Sequence, residues 1–238
     1  MRNERLERVF WNKYAGSYDR LAKHYIPYQI LVQEVCDHID NYAQGQPLKI
    51  LDAGCGTGNY IQELTKRGHQ VIGVDSSPAM IKIAENKVKN LPYNNGRPPK
   101  ILPHDLNQPL PFESQSFDVA ISINVVYTLA EYRRFFSELR RVIRPLGVIV
   151  VVNSSAPLSL WSAIVAQWRA AKGIKRLSSL LALASVGFWN FLISMRERKK
   201  SYNVTTVQDL KNSLIAAGAK QVSVYETYIG SILGVGRF

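Results

Sequence analysis

Cysteine is scarce in this chain of 238 residues, and its scarcity sets the first limits on function. The two cysteines, Cys36 and Cys55, provide neither a disulfide framework nor the close ligand pairs of structural metal sites. The first ten residues, MRNERLERVF, also lack the apolar stretch of a secretory signal. We therefore expect a reducing compartment, the cytoplasm, and no bound metal.

Acidic residues are also few, because 18 Asp and Glu stand against 30 Lys and Arg, and the net charge is +12 at pH 7. Such an excess attracts phosphate-bearing partners, which include nucleic acid, anionic lipid and phosphorylated substrates. Hydrophobic residues make up 46% of the chain, which is enough for a complete core. We expect residues 1–238 to form one large domain.

Complete nucleotide-binding fingerprints are missing as well, although a glycine loop is present. The run KILDAGCGTGNY contains Gly54, Gly56 and Gly58, but Asn59 occupies the place of the third glycine of a dinucleotide fingerprint, and no P-loop follows. A second apolar run ends at Asp75, where an acid can accept hydrogen bonds from ribose hydroxyls. The pattern favours a nucleoside ligand without a pyrophosphate.

Apolar runs alternate with helical segments along the first two thirds of the chain. Residues 6–42 are predicted to be helical, with a break near Pro27. Five strands are predicted, in LKILDAG, HQVIGVD, residues 100–103, SFDVAISINVV and LGVIVVVNS, with helices between most of them. This alternation predicts an α/β fold with a mostly parallel sheet and helices on both faces.

In this order, the motifs resemble those of class I S-adenosylmethionine-dependent methyltransferases. The segments that carry the resemblance are ILDAGCGTGNY, VIGVDSSPAMI, HDLNQPLPFESQSFDVAISINVVYTL and FFSELRRVIRPLGVIVV. The likeness covers residues 7–153, resumes near the C-terminus, and is closest to the quinone-biosynthesis (UbiE-like) and small-molecule methyltransferases. It implies a Rossmann-like sheet of seven strands, with one antiparallel strand in a hairpin of residues 221–228 and 231–237.

The resemblance also implies the cofactor, S-adenosyl-L-methionine, with S-adenosyl-L-homocysteine as its product. Matching motif by motif, the cofactor-binding residues are Tyr14, Tyr18, Asp52, Gly54, Gly56, Gly58, Asp75, Ser76, Met80, Asp105, Leu106 and Asn124. The glycines let the backbone approach the methionine and ribose, and Asp75 accepts the ribose hydroxyls. Ser76 and Met80 border the adenine, Asp105 accepts its amino group, and Leu106 packs on the ring.

Three further roles follow from the resemblance. Asp52 orients the loop near the methionine ammonium, and Asn124 lies near the sulfonium. Tyr14 and Tyr18 form a lid in an N-terminal helical region, residues 1–45. Aromatic residues at this helical spacing are also typical of plain core packing, so both readings stay open.

Methyl transfer needs alignment and desolvation, and a general base only for some acceptors. His24, His104 and Tyr127 are the candidates for that base. His24 is favoured, and His104, which precedes Asp105, is more typical of a structural residue. The family often has His at Tyr127 and Thr128, and RPLG stands where KPGG is usual. The four residues from Asn124 to Tyr127 also lack the prolines of enzymes that methylate DNA amino groups and glutamine, which argues against those acceptors.

Residues 157–202, after the fifth strand, form an insertion with eight Lys or Arg and one acid, which is +7 of the chain's charge. Trp161, Ile164, Val165 and Trp168 share one helical face. Residues 177–195 carry no charge and include Trp189, but they are short for a membrane span. Strands on both sides must join one sheet, which excludes a single crossing. The insertion is predicted to be helical and to cap the substrate, lie on a membrane, or dip into one.

Three functions remain open from the sequence. The favoured one is methyl transfer to a hydrophobic small molecule or a lipid-like acceptor, in the cytoplasm or at an anionic membrane surface. A nucleic-acid methyltransferase is the second, although the basic residues flank an apolar run. The third is a non-catalytic nucleoside-binding protein, which the complete set of Asp52, Gly54, Asp75 and Asp105 argues against.

Overall fold

The fold is taken from a computed structural model. It describes residues 4–92, 98–154, 160–171, 206–227 and 230–238. Within these ranges the seven strands are β1 (Lys49–Ala53), β2 (Gln70–Asp75), β3 (Lys100–Pro103), β4 (Phe117–Ile123), β5 (Ile143–Ser154), β6 (Gln221–Thr227) and β7 (Ser231–Arg237). The helices are α1 (Glu4–His24), α2 (Ile26–Ala43), α3 (Asn59–Lys66), α4 (Pro78–Val88), α5 (Tyr132–Val142), α6 (Leu160–Ala170) and α7 (Val207–Ala216), with a 3₁₀ turn at Val126–Thr128.

All seven strands join one sheet in the order β3-β2-β1-β4-β5-β7-β6. Neighbours from β3 to β5 pair in parallel, whereas β7 is antiparallel to both β5 and β6. The predicted fold class and the C-terminal hairpin are therefore confirmed. Tyr228, the last residue of the predicted sixth strand, lies outside the described residues.

Helices cover the sheet on both faces. Successive side chains of a strand point to opposite faces, so apolar side chains on both faces need a covering layer. On one face Ile50 and Ile121 pack with helices α2, α3 and α6. On the other face Leu51 and Ile149 pack with α5 and α7. Both clusters are fully buried, so the sheet is a rigid platform for whatever lies at its edges.

The predicted helical break near Pro27 is present as a single residue between α1 and α2. Tyr25 adopts an extended conformation, and the proline stands in the first turn of α2, where it costs no hydrogen bond. The N–H of Ile26, at the first position of α2, donates to Oε1 of Gln167 on α6, at 2.9 Å. Tyr25 also donates its hydroxyl to the Ala163 carbonyl of the same helix. Helix α6 therefore holds the hinge between the first two helices.

Only the start of the insertion, residues 160–171, lies in the described part of the chain. Its helix α6 buries Ala163 and Gln167 and exposes 74% of Trp161 and 53% of Trp168. Trp189, Arg196, Arg198, Lys199 and Lys200 lie outside the described residues. Among the helices that the structure describes, none has both the length and the apolar character needed to cross a membrane.

The RPLG segment, which overlaps the start of the predicted fifth strand, lies inside β5 as a bulge. Phe117 pairs with Ile143 and Val119 with Val148, so the β5 side contains extra residues. Leu146 takes the left-handed conformation there, with φ of 67°, and is 75% exposed. A side chain in this region costs roughly 1–2 kcal/mol, which makes Leu146 a strained position.

We predict that Leu146→Gly stabilises the protein. Relief of the left-handed strain outweighs the entropy of a freer unfolded chain, which leaves a gain of roughly 0.5–1 kcal/mol. Thermal unfolding should shift upward by a few degrees, as is usual for a chain of this length. Leu146→Ala keeps the strain and serves as the control, so an equal gain in both variants would contradict the explanation.

Candidate functional site

Three polar side chains meet at the carboxyl edge of the sheet because their strands are parallel neighbours. Asp52 is the fourth residue of β1, Asp75 ends β2, and Asn124 directly follows β4. Strand β1 lies between β2 and β4. Open α/β sheets bind ligands in the crevice beyond the carboxyl ends of such strands. The carboxyl ends of β1, β2 and β4 are therefore the candidate site.

The glycine loop between β1 and α3 approaches this edge with bare backbone. Gly54 has φ of 88°, and a Cβ built on it would lie 2.3 Å from Cγ2 of Val125. Gly58 has φ of 75°, and its Cβ would lie 2.9 Å from Cβ of Ala84. Side chains are excluded at both positions by conformation and by space. The two glycines therefore let the loop pack closely against Val125 and Ala84 at this edge of the sheet.

Asp75 is held by backbone donors on both carboxylate oxygens. Gly56 N–H donates to Oδ2 at 2.9 Å, and Ser77 N–H donates to Oδ1 at 2.8 Å. Burial raises the pKa of Asp75 from its usual value, although backbone N–H groups of residues 56, 76 and 77 act in the opposite direction. Each carboxylate oxygen keeps a second acceptor position. A pair of adjacent hydroxyls, as on a ribose, suits this arrangement.

Two buried oxygens at the same edge have no hydrogen-bond partner among the described residues. They are Oδ2 of Asp52 and Oδ1 of Asn124. Asp52 is only 1% exposed, and burial, with Asp75 nearby, raises its pKa to about 8. Asn124 has φ of 57°, a left-handed conformation that is uncommon outside glycine. Two unpaired buried acceptors, one of them on a residue in the left-handed conformation, fit a site built for a donor-bearing cationic ligand.

Helix α1 lies over the glycine loop. Tyr14 is buried and packs with Met80 of α4. The ring of Tyr18 lies 3.7 Å from where a Gly56 Cβ would be, and the two tyrosine rings are 5.8 Å apart. Burial raises the pKa of both phenols. The position of α1 agrees with a lid, and the role of Tyr14 and Tyr18 as cofactor contacts stays a prediction.

Several residues of this region had not been predicted. Asn12 of α1 accepts hydrogen bonds from the Ser77 hydroxyl and from the Ala79 N–H at the start of α4. Tyr28 shares a hydrogen bond of 3.0 Å with Tyr18, between the two hydroxyls. Neither contact follows a fixed spacing, because each joins two different helices, and the Asn12 contacts span 65 and 67 residues of the sequence. The sequence offered one local signal for these contacts. Asn59, which stands in the place of a third glycine, donates a hydrogen bond to the Tyr28 hydroxyl.

The roles of the other predicted residues stay predictions. Oδ1 of Asp105 accepts from the backbone and side-chain amides of Asn107, which shapes the turn after β3. Tyr127 lies in the 3₁₀ turn after Asn124. The remaining three are exposed Ser76, partly buried Leu106, and His24, exposed at the end of α1.

Comparison with known proteins agrees with this geometry. A family model described as a methyltransferase domain matches residues 51–151. A demethylmenaquinone methyltransferase from Tropheryma whipplei is 31% identical over 109 residues, which is 46% of this chain but only 43% of that protein. A malonyl-[acyl-carrier protein] O-methyltransferase from Serratia marcescens is 25% identical over 233 residues, or 95% of this chain and 82% of that one.

Solved structures share the fold. The magnesium protoporphyrin IX methyltransferase from Synechocystis PCC 6803, crystallised with S-adenosylhomocysteine, has a TM-score of 0.64 at 17% identity and covers 97% of this chain and 98% of its own. The same enzyme has also been crystallised with S-adenosylmethionine. At this level of identity the likeness supports the architecture.

The doubly covered parallel sheet, the glycine loop and the strand-end acids define an α/β protein built to bind a nucleoside. A methyltransferase domain matches the residues that carry this site, and the relatives are methyltransferases, so the chain resembles the class I S-adenosylmethionine-dependent methyltransferases. The resemblance and the cofactor predicted from the sequence are thereby confirmed.

We predict that Asp52→Asn stabilises the protein without ligand, and more so as the pH rises. The carboxyl pKa is about 8 in the folded chain and close to 4 when unfolded. Between these values only the unfolded chain releases the proton, so rising pH destabilises the wild type. The variant's advantage in free energy of unfolding should grow by roughly 2 kcal/mol from pH 5 to pH 7.

Chemical denaturation at pH 5, 6 and 7 measures this difference. Glu113→Gln, at an exposed carboxylate, is the control and should show no such trend. The same Asp52→Asn variant should bind S-adenosylhomocysteine more weakly, since it loses the charge that the resemblance places near the methionine ammonium. A pH-independent advantage would mean that Asp52 is ionised in the folded chain.

Proposed function

We propose that the chain transfers a methyl group from S-adenosylmethionine to a small, largely apolar acceptor. The observation that carries the proposal is the pair of buried, unpartnered oxygens of Asp52 and Asn124. They stand beside a doubly anchored Asp75 on adjacent parallel strands. A protein that only needed stability would not keep such groups buried.

When bound, the cofactor supplies an electrophilic methyl group on a sulfonium. Asp52 would take the methionine ammonium, Asp75 the ribose, and Asp105 and Leu106 the adenine. Asn124 would lie at the sulfonium, while Tyr14 and Tyr18 exclude water from above. These residues contribute by orientation and desolvation, an effect worth roughly 7–11 kcal/mol in well-aligned reactions. Tyr127 and His24 remain the candidates for a base, if the acceptor loses a proton.

The acceptor class is inferred from this chain's own residues, since its relatives are named for different acceptors. Helix α6 follows β5 at the carboxyl edge and presents Trp161 and Trp168 outward. It contains no acidic residue. Such a helix beside the site favours an apolar acceptor, with residues 157–202 as its cap.

Nucleic acid is the weaker alternative. Residues 157–202 contribute +7 of the net charge of +12, from eight Lys or Arg and one acidic residue. The basic residues of this segment flank an uncharged run, residues 177–195, with few polar groups that could read bases.

A labelling experiment tests the proposal. The wild type is incubated with methyl-labelled S-adenosylmethionine and, separately, with an organic-solvent extract of cells, with polar metabolites and with nucleic acid. We expect label in the organic extract. Asp75→Ala should lose at least about tenfold in cofactor affinity, because a carboxylate hydrogen bond contributes roughly 1.5–3 kcal/mol. Label in nucleic acid would favour the alternative, and no transfer to any fraction would contradict the proposal.

We further propose that helix α6 meets an anionic membrane surface. Its buried side, with Ala163 and Gln167, faces α2, and its tryptophans lie on the exposed side. Tryptophan suits the membrane interface because its ring is apolar and its N–H is polar. Seven basic residues follow within the insertion, and each can contribute roughly 1 kcal/mol near anionic lipid.

Vesicle binding tests this second proposal. The wild type should co-sediment with vesicles that contain phosphatidylglycerol, and less so at high salt. Trp161→Ser with Trp168→Ser should weaken partitioning at least about tenfold, since two buried indoles exceed the 1.4 kcal/mol required. Ile215→Ser, at an exposed apolar residue of α7, is the matched control. Equal binding by all three proteins would count against membrane contact through α6.

A further inference from the structure

A buried ion pair ties the lid helix to the helix that follows β2. Nζ of Lys87, on α4, donates to Oδ1 of Asp19, on α1, at 2.6 Å. The two side chains are only 9% and 12% exposed. Lys23 also pairs with Asp19, through Oδ2 at 3.0 Å, but its own side chain is 63% exposed. Lys87 is therefore the buried partner, and Lys23 the solvated one.

The same ammonium reaches the glycine loop. Lys87 Nζ donates a second hydrogen bond, of 2.5 Å, to Oδ1 of Asn59, the first residue of α3. The Asn59 amide then donates to the hydroxyls of Thr57 and Tyr28, each at 3.3 Å. The Asn59 side chain thus links the glycine loop, through Thr57, to Lys87 of α4 and Tyr28 of α2.

These contacts form a closed ring. The Tyr28 hydroxyl bonds the Tyr18 hydroxyl, and Tyr18 precedes Asp19 in the chain. The ring therefore runs through Asp19, Lys87, Asn59, Tyr28 and Tyr18, and joins helices α1, α4, α3 and α2. Tyr18 is the residue whose ring covers Gly56.

A buried ion pair is weak evidence for stability, because well-packed apolar side chains are often equally stable in its place. Its better-supported use is to fix one arrangement among several. Here the arrangement that it fixes is the closed position of α1. Because Asn59 belongs to both the ring and the loop's helix, loop geometry and lid position are set together.

We propose that Lys87 is a positioning residue that holds the Tyr18 lid closed over the cofactor, through Asp19 on one side and Asn59 on the other. This inference rests on the proposed use of S-adenosylmethionine. Lys87 touches neither the cofactor-binding carboxylates nor the acceptor side. Its effect is on how long the cofactor stays bound.

The test measures S-adenosylhomocysteine binding by stopped flow in Lys87→Met. We expect its dissociation rate constant to rise at least tenfold, with a change in the association rate constant of less than threefold. Hydrogen exchange of residues 9–24 in the complex should accelerate. Lys82→Met, the same substitution at an exposed position of α4, should behave as the wild type. Asp19→Asn with Lys87→Met, which leaves no buried charge, should repeat the fast dissociation if the single variant folds poorly.

The outcomes separate positioning from plain stability. A merely structural Lys87 would lower the melting temperature of the free protein while leaving dissociation and exchange in the complex unchanged, and that result would overturn the inference. If the wild type itself fails to bind S-adenosylhomocysteine, the proposed function falls first. Normal binding by the wild type with slow dissociation in both Lys87 variants rejects the positioning role alone.

Discussion

The parallel register of β2, β1 and β4 is the constraint on which the site depends. Val74 pairs with Ala53, and Asp52 with Ile121, so the three strands end side by side. The N–H groups of Gly54 and Cys55 continue the pairing onto the Val74 carbonyl. The sharp turn that follows β1 needs glycine at positions 54 and 58, because a Cβ at either position would clash. The glycine loop, the two acids and Asn124 are brought together by this register and not by their spacing in the sequence.

The same edge explains why stability and binding oppose each other at Asp52. Its carboxyl group gains nothing from burial without a ligand, and the rise in its pKa to about 8 records that cost. Asp75, on the next strand, is satisfied by backbone donors and exposes its remaining acceptors. The two aspartates therefore differ in their hydrogen bonding. Asp75 accepts bonds from backbone N–H groups, whereas Oδ2 of Asp52 has no partner among the described residues.

Local patterns explain why most of the fold was predictable. Strand β5 contains the unbroken apolar run LGVIVVV, and Ser77 with Pro78 marks the start of α4, where the Ser77 hydroxyl accepts from the Met80 N–H. The glycines and strand-end acids likewise have a fixed order along the chain. The bulge at Leu146 escaped prediction because its register depends on pairing with β4. The ring through Lys87 escaped because three of its contacts join residues that are 28 to 68 positions apart in the sequence.

The hinge at Tyr25 connects the two sides of the site. Helix α1 covers the glycine loop, and the two hydrogen bonds from Tyr25 and Ile26 attach the hinge to α6. Gln167, which accepts one of them, is 2% exposed, so water cannot easily replace it. A rotation of α1 about Tyr25 must keep these bonds or break them at a cost. Helix α1 and the helix that opens the insertion are therefore linked through these hydrogen bonds, although one precedes the sheet and the other follows its fifth strand.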